Sequence, residues 1–245
     1  MRVKGVIPSR WGSTRFPGKS LFPICGKPLV QWVVEAAQRS RSLEEVMVAT
    51  DDLRIADAMA GIARVVMTRS DHPSGTDRVA EAACAEDDDI IINIQGDEPL
   101  IDPALIDALV DRMREDQGWA MATAACPVKS ARDLGARTVV KTVLARDGGA
   151  LYFSRLPIPC RRDGEADLTS GLYLRHLGIY AYRGSFLKRL VNEPPCLLEQ
   201  TECLEQLRAL YIGGRIAVIQ TESQGVGVDT PEDVAAVEAV LRGRQ

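Results

Sequence analysis

Short apolar runs rich in β-branched residues alternate along this chain with longer segments of helical periodicity. The alternation is typical of a sheet whose strands are joined by crossover helices, and it predicts an α/β fold. The predicted strands are residues 3–8, 45–50, 64–67, 90–95, 120–128, 139–144, 176–182 and 216–220. The predicted helices are residues 29–40, 52–61, 76–85, 103–115, 198–211 and 231–242.

The order of these elements predicts a Rossmann-like architecture, with a mixed, mostly parallel sheet flanked by helices. In such a sheet, ligands bind beyond the carboxyl ends of the strands. The 245 residues suffice for one large domain or two small ones. The residues that directly follow each strand are therefore the first candidates for a functional site.

Composition argues against several classes of partner. The formal net charge is −4 at pH 7, whereas a nucleic-acid surface needs clustered Lys and Arg. No apolar stretch approaches the length of about 18 residues that a membrane span requires, and no signal-peptide core is seen. The six cysteines show neither a Cys-x-x-Cys pair nor zinc spacing. We therefore expect reduced thiols in a cytoplasmic protein with no nucleic-acid or membrane partner.

A loop rich in cations, VIPSRWGSTRFPGK at 6–19, includes the end of the first predicted strand. Arg10, Arg15 and Lys19 lie there among glycines and hydroxyl residues, including Ser13. Glycines let backbone N–H groups approach an anion, and a triphosphate would relieve the repulsion among the cations. The spacing is neither that of a Walker A loop nor G-x-G-x-x-G, which disfavours dinucleotide binding. A solvated basic loop is the alternative.

Two aspartates are each predicted to lie at the carboxyl end of a strand, and therefore at the same edge of the sheet. Asp97 lies in NIQGDEPLID at 93–102, and Asp229 lies in GVGVDTPED at 225–233. One carboxylate together with substrate phosphates is a common way to hold Mg²⁺. Asp229 precedes a Thr-Pro helix start, so a capping role is its alternative. Together the two residues predict a split metal site.

The segment TRSDHPSGTDR at 68–78 leads into a predicted helix. Ser74, Gly75 and Thr76 either cap that helix or read the edge of a base. We interpret His72 as an exposed loop histidine rather than as a catalytic base.

Seven motifs resemble, in order and spacing, those of the bacterial CMP-Kdo synthetases, the 3-deoxy-manno-octulosonate (Kdo) cytidylyltransferases. They are PSRWGSTRFPGKSL, TRSDHPSGTDR, NIQGDEP, ALYFSR, RHLGIYAYR, LEQLRAL and GVDTPED. The resemblance extends over residues 3 to 240. It implies a single nucleotidyltransferase domain over residues 1–245, in which residues 129–195 contribute a subregion for dimerisation and sugar binding.

The resemblance implies a homodimeric, Mg²⁺-dependent, cytosolic enzyme of lipopolysaccharide synthesis. Such an enzyme transfers CMP from CTP to the anomeric 2-hydroxyl of Kdo, a 3-deoxy-2-keto sugar acid, and releases pyrophosphate. By matching position, the implied nucleotide site is Arg10, Ser13, Arg15, Lys19, Ser74, Gly75, Thr76, Arg78 and Gln95. The implied catalytic residues are Lys19, Asp97 and Asp229, with the two aspartates as metal ligands. The implied sugar-binding residues are Arg155, His176, Tyr180, Glu205 and Gln206.

The chain departs from the family pattern after Arg155. The family usually reads Ala-Thr-Ile-Pro and an aromatic there, whereas this chain reads Leu-Pro-Ile-Pro-Cys at 156–160. A related sugar acid, such as the 8-amino analogue of Kdo, is therefore the alternative substrate. Arg155 itself either pairs with the sugar carboxylate or forms a structural ion pair. A nucleotide-sensing module is the non-enzymatic alternative, but such a module would be expected to lose Asp97 and Asp229, and both are present.

Overall fold

The structure, a computed structural model, describes residues 1–12, 16–223, 225, 227, 228 and 230–243. The strands in this part of the chain are β1 (Val3–Pro8), β2 (Pro23–Ile24), β3 (Lys27–Pro28), β4 (Glu45–Thr50), β5 (Arg64–Met67), β6 (Ile90–Asn93), β7 (Met121–Pro127), β8 (Lys141–Leu144), β9 (Ala150–Ser154), β10 (Leu174–Arg183) and β11 (Ile216–Gln220). The helices are α1 (Leu29–Ala37), α2 (Leu53–Met59), α3 (Gly75–Ala83), α4 (Pro103–Glu115), α5 (Ala131–Gly135), α6 (Gly184–Asn192), α7 (Leu197–Glu202), α8 (Gln206–Tyr211) and α9 (Pro231–Arg242).

The central sheet has the strand order β11-β7-β10-β6-β1-β4-β5. The pairs β1–β4, β1–β6, β4–β5 and β7–β11 are parallel, while β10 runs antiparallel to both β6 and β7. Strands β8 and β9 extend this sheet from β10 as an antiparallel hairpin. The prediction of a mixed, mostly parallel sheet flanked by helices is therefore confirmed.

The core lies on both faces of this sheet. Val3, Ile90 and Ile92 belong to the cluster on one face, and Val6 and Ile91 belong to the cluster on the other. Successive residues of a strand point to opposite faces, so an uninterrupted apolar run can be buried on both. This explains why β6 begins with a continuous apolar run, Ile90–Ile92, rather than with an alternating pattern.

Helix starts follow the capping signals of the sequence. The Asp102 side chain accepts a hydrogen bond from the Ala104 N–H at the start of α4, with Pro103 in the first turn. At α9 the N-cap is Thr230, whose N–H donates to the Asp233 carboxylate at 2.8 Å. Asp229, for which a capping role was the alternative, directly precedes this N-cap and lies outside the described residues.

Several elements differ from the sequence-based expectation. The short strands β2 and β3, strand β9 and helices α5 and α6 were not predicted, and the helix predicted at 198–211 is two helices, α7 and α8. Cys203 separates them with a left-handed backbone (φ 50°), which cannot continue a right-handed helix. The break brings Glu205 and Gln206 to the start of a new helix.

Within the described ranges, no helix combines the length and the apolar character that crossing a bilayer requires. All six cysteines are free thiols.

Candidate active site

A first cleft, of about 300 Å³, lies at the carboxyl ends of β1, β5 and β6. This is where a Rossmann-like sheet binds its ligands. The lining residues come from the loops after these three strands and from the start of α3: Pro8, Ser9, Arg10, Lys19, Ser20, His72, Ser74, Gly75, Arg78, Gln95, Gly96 and Asp97. Seven residues of the implied nucleotide and catalytic set thus line one cavity although they come from distant parts of the sequence: Arg10, Lys19, Ser74, Gly75, Arg78, Gln95 and Asp97.

Lys19 and Asp97 form the charged pair at the floor of the first cleft. The Lys19 ammonium donates to Asp97 Oδ2 at 2.7 Å, and the two side chains are 15% and 34% exposed. Gly18, with φ 71°, turns the chain so that Lys19 begins a 3₁₀ turn after the loop. Ser13, Arg15 and Asp229 belong to the expected site but lie outside the described residues.

Ser74 combines both roles that its sequence context allowed. Its hydroxyl oxygen accepts from the N–H groups of Thr76 and Asp77, which makes it the N-cap of α3, and it also lines the first cleft. Arg78, one turn into α3, is buried and holds Thr68 Oγ1 and the Asp51 carboxylate. The two residues anchor the N-terminal end of α3 at the cleft.

The interpretation of His72 as an exposed histidine was wrong. Its side chain is only 5% exposed, and Nε2 contacts the Glu81 carboxylate from α3. Together with Arg69, His72 holds the pKa of Glu81 below its usual range, although burial acts in the opposite direction. His72 lies in the wall of the first cleft because α3 folds back against the loop.

A second cleft, of about 390 Å³, adjoins the first. Its base is one face of β10 with parts of β6, and its walls are the segments 138–140 and 203–206. The lining includes four of the five residues of the implied sugar site, namely His176, Tyr180, Glu205 and Gln206. Gly75 and Gln95 line both clefts, so the two cavities share a border.

His176 lies in the second cleft as a neutral ring. Burial lowers its pKa from 6.5 to about 3, and the ring packs edge-to-face on Phe153. Its Nε2 lies 2.9 Å from Thr123 Oγ1, and that hydroxyl donates its one proton to the Ile179 carbonyl at 2.7 Å. Nε2 must therefore be the protonated donor, which leaves Nδ1 as a hydrogen-bond acceptor.

Tyr180 lies beyond Gly178 on the same face of β10, in ring contact with His176. Its hydroxyl donates to Gln206 Oε1 at 3.4 Å. Burial, with help from the charge of Glu205, raises the pKa of Tyr180 well above its usual value. The phenol is therefore a hydrogen-bond donor and acceptor at any physiological pH.

Glu205 lines the second cleft and is held there by α3 and by Arg208. Its Oε1 accepts a hydrogen bond from Thr76 Oγ1, which stands two residues after Ser74 in α3. Its Oε2 lies 3.5 Å from the guanidinium of Arg208, a buried residue that also pairs with Glu199 at 3.1 Å. Thr76, expected in the nucleotide site, therefore lines the second cleft and not the first.

Arg155 does not line the second cleft, in contrast to its expected role. Its guanidinium donates to three backbone carbonyls: Arg137 at 3.0 Å, Glu202 at 2.5 Å and Cys203 at 3.0 Å. It is no ion pair either, because its described partners are neutral carbonyl groups. The reason is tertiary: the end of β9 lies against the C-terminus of α7, whose last carbonyls need donors.

Four further residues at or near the clefts were not predicted from the sequence: Asn93, Glu98, Lys141 and Arg208. Asn93 lines the second cleft, and Glu98 directly follows Asp97. Burial, together with the charge of Asp97, raises the pKa of Glu98 to about 7. Asn93 and Glu98 lie in the motif NIQGDEP and Arg208 lies in LEQLRAL, so the motifs could have indicated these three residues. No sequence pattern indicated Lys141.

Comparisons with known proteins identify the family of the chain. A family model described as Cytidylyltransferase matches residues 5–216. A 3-deoxy-manno-octulosonate cytidylyltransferase of Syntrophobacter fumaroxidans is 50% identical, over 98% of this chain and 97% of its own. One from Bdellovibrio bacteriovorus is 48% identical, over 98% of each chain. A solved structure of CMP:2-keto-3-deoxy-manno-octonic acid synthetase complexed with CTP is 41% identical, with a TM-score of 0.93 and full coverage of both chains. The chain therefore belongs to the cytidylyltransferase family, among the 3-deoxy-manno-octulosonate cytidylyltransferases.

Proposed function

We propose that this protein transfers CMP from CTP to the anomeric 2-hydroxyl of Kdo, releasing pyrophosphate and supplying activated Kdo for lipopolysaccharide synthesis. The observation that carries the proposal is the meeting of two clefts at Gly75 and Gln95, beside the Lys19–Asp97 pair. A transfer reaction needs its two substrates held in line and in contact, and adjoining cavities provide that arrangement. The family of the chain supports the choice of nucleotide and sugar.

The first cleft is the proposed site of CTP. Arg10 and Lys19 offer positive charge to the phosphates, and the first turn of α3 offers Ser74 and Gly75 to the nucleoside. Because the Lys19 ammonium is already held by Asp97, it needs little reorganisation when the triphosphate arrives.

The chemical step is one in-line displacement at the α-phosphorus. The 2-hydroxyl oxygen of the sugar forms a bond to phosphorus while the bond from phosphorus to the pyrophosphate oxygen breaks, and the hydroxyl proton passes to solvent. Negative phosphate oxygens repel the attacking oxygen, so the protein must supply positive charge and alignment rather than a covalent intermediate. Lys19 and Arg10 supply that charge from the side of the first cleft.

Mg²⁺ is the proposed cofactor, and Asp97 fits it. The carboxylate is 34% exposed at the cleft, and carboxylate oxygens are ligands that Mg²⁺ takes in proteins. Mg²⁺ is commonly held by one or two carboxylates together with substrate phosphates. When bound, the ion would polarise phosphate oxygens. Asp229 is the proposed second ligand.

The metal proposal is tested with Asp97→Asn, and Asp102→Asn serves as a control five residues away. We expect Asp97→Asn to lower kcat by about 100-fold and to raise the Mg²⁺ concentration for half-maximal rate. Asp102→Asn keeps a capping side chain and should leave both values unchanged. An Asp97→Asn enzyme with a normal Mg²⁺ dependence would contradict the assignment.

The second cleft is the proposed sugar site. His176 Nδ1, the Tyr180 hydroxyl and the Gln206 amide offer acceptors and donors to the hydroxyls of the sugar, and Gly178 leaves room for its ring. Glu205 is fixed by Thr76, the residue that follows Gly75 at the border of the two clefts. A neutral imidazole is suited to hydrogen bonding rather than to proton transfer at neutral pH.

A homodimer in the cytoplasm is the proposed assembly and location. Leu151, Leu156 and Leu172 are all more than half exposed, and they lie within the segment 129–195. Leu151 stands on β9, which pairs only with β8 within the described sheet. Exposed apolar residues beside an open strand edge are typical of an interface. The free cysteines agree with a reducing compartment.

The reaction is tested by measuring pyrophosphate release with CTP and a panel of sugar acids: Kdo, its 8-amino analogue and a sialic acid. We expect the highest kcat/KM with Kdo, by a factor of about ten over the 8-amino analogue. The amino group that replaces the 8-hydroxyl in the analogue alters one or two hydrogen bonds to the protein. Preference for the 8-amino analogue would select the alternative substrate. Release with none of the three would refute the proposed function.

A further inference from the structure

The loop that follows β1 is closed by a hydrogen bond between its two ends. The Gly18 N–H donates to the Trp11 carbonyl at 3.0 Å. Arg10 directly precedes this closing pair and Lys19 directly follows it, and both cations line the first cleft. The separation of the two cations therefore depends on how firmly Trp11 and Gly18 are held together.

The Trp11 indole packs directly on Gly18. A Cβ atom at Gly18 would lie 3.0 Å and 3.1 Å from two ring atoms of Trp11, closer than ordinary van der Waals contact. Gly18 also has φ 71°, a backbone conformation that residues with a Cβ atom rarely adopt. The turn of the chain and the close approach of the ring both require glycine at this position.

Arg54, in the first turn of α2, lies over the same indole. Its guanidinium carbon is 3.5 Å from the centroid of the Trp11 ring, which is the geometry of a cation–π interaction. Two hydrogen bonds to the Asp52 carboxylate, from Nε at 2.9 Å and from Nη2 at 2.5 Å, fix the plane of this guanidinium. Asp52 is itself the N-cap of α2. The indole therefore links the start of α2 to the closed loop.

The link reaches the first cleft through the backbone. Trp11 and Arg54 are not among the described residues that line this cleft, whereas the chain neighbours of the closing pair, Arg10 and Lys19, are. Two cations that are already held at a fixed separation need less rearrangement when a polyphosphate binds, and this strengthens binding. A contact outside the cleft can in this way change the affinity for phosphates inside it.

We propose that Trp11 and Arg54 are positioning residues for the phosphate chain of CTP, because they hold the loop closed and so set the separation of Arg10 and Lys19. The inference rests on the proposed function, since it takes the first cleft as the CTP site.

The test compares the binding of CMP, CDP and CTP by calorimetry, without a sugar acid, so that no transfer takes place. Trp11→Ala should weaken CTP binding about tenfold and CMP binding less than about twofold, because only the longer phosphate chain needs both cations. Arg54→Met, a change at an exposed side chain, should weaken CTP binding about threefold. Trp11→Phe should restore most of the loss, since it keeps an aromatic face under Arg54. Equal losses for CMP and CTP would overturn the proposal, because they would indicate a contact with the nucleoside or a general loss of structure.

Lys27→Met is the matched control. Lys27 also lies over an indole, that of Trp32 at 4.4 Å, and it also pairs with a carboxylate, that of Glu35. None of these three residues lines either cleft. The control should leave the dissociation constants of all three nucleotides unchanged.

Quenching of tryptophan fluorescence by acrylamide tests the link without any nucleotide. Arg54→Met should increase the quenching, because the guanidinium and its stem no longer cover Trp11. The same change made in a Trp11→Phe protein should have no effect, which assigns the signal to Trp11. Unchanged quenching in Arg54→Met would overturn the proposal. A wild type that bound no CTP would refute the proposed function as well, whereas losses that do not depend on the number of phosphates would refute this inference alone.

Discussion

Replacing His176 by glutamine should change how the stability of the protein depends on pH. The ring is buried against Phe153 and donates to Thr123, and burial lowers its pKa from 6.5 to about 3. In the unfolded chain the same ring takes up a proton near its usual pKa. Between these two values the unfolded state binds more protons than the folded state, so stability falls as the pH is lowered through 6.5.

The size of the effect follows from the two pKa values. At pH 5 the unfolded histidine is almost fully protonated and the folded one is neutral, which costs the folded state about 2 kcal/mol relative to pH 8. Glutamine has no proton to gain, and its amide can still reach Thr123. The difference in unfolding free energy between wild type and His176→Gln should therefore shrink by about 2 kcal/mol from pH 8 to pH 5.

Urea unfolding of both proteins at the two pH values measures this difference. Tyr180→Phe is the control on the same face of β10, because the raised pKa of Tyr180 means that no proton is exchanged in this range. Its stability difference from wild type should be the same at pH 5 and pH 8. A wild-type to His176→Gln difference that does not change with pH would refute the reasoning, since it would mean that the folded ring titrates as it does in water.

Three further predictions concern the two clefts. Lys19→Ala should lower kcat by about 100-fold with a small change in Tm, since a loop cation at the phosphates contributes mainly to the transition state; a near-normal rate at saturating CTP would contradict this. Thr76→Val should raise the KM for the sugar acid about tenfold and leave the KM for CTP unchanged, because Glu205 loses its donor, and Thr76→Ser should restore it; equal changes in both KM values would show that Thr76 belongs to the nucleotide site. CTP should be favoured over UTP in kcat/KM by about tenfold or more, since a site that bonds the exocyclic amine leaves a polar group unpaired with uracil; equal values would exclude base recognition.

Much of the fold was predictable because local sequence patterns determine where many of the strands and helices begin and end. The bounds of β1, β4, β5, β11, α4 and α9 match the predicted ranges, since periodicity, proline and capping residues act over a few positions. Strand β9 was missed because it is a short edge strand with an exposed leucine, a pattern that resembles a loop. Helix α6 was missed because it begins without an N-capping side chain, directly after β10.

The first cleft was also largely predictable, for a topological reason. Once β1 and β6 are parallel neighbours, the loops after them must meet at one edge, and Lys19 and Asp97 are brought together although 78 residues separate them. The loops that form the first cleft could be identified from their cations, glycines and carboxylates alone.

Only the tertiary structure decided the partners of the buried polar groups. The sequence neighbours of Arg155 do not indicate that its guanidinium serves the carbonyls of Glu202 and Cys203, about 47 residues further on. The same holds for Thr76, whose hydroxyl bonds Glu205 across 129 residues and so belongs to the second cleft. Local sequence patterns indicate the conformation of each segment. The hydrogen-bond partner of a buried polar side chain is instead the group that tertiary packing brings within about 3 Å, and this packing depends on the whole chain.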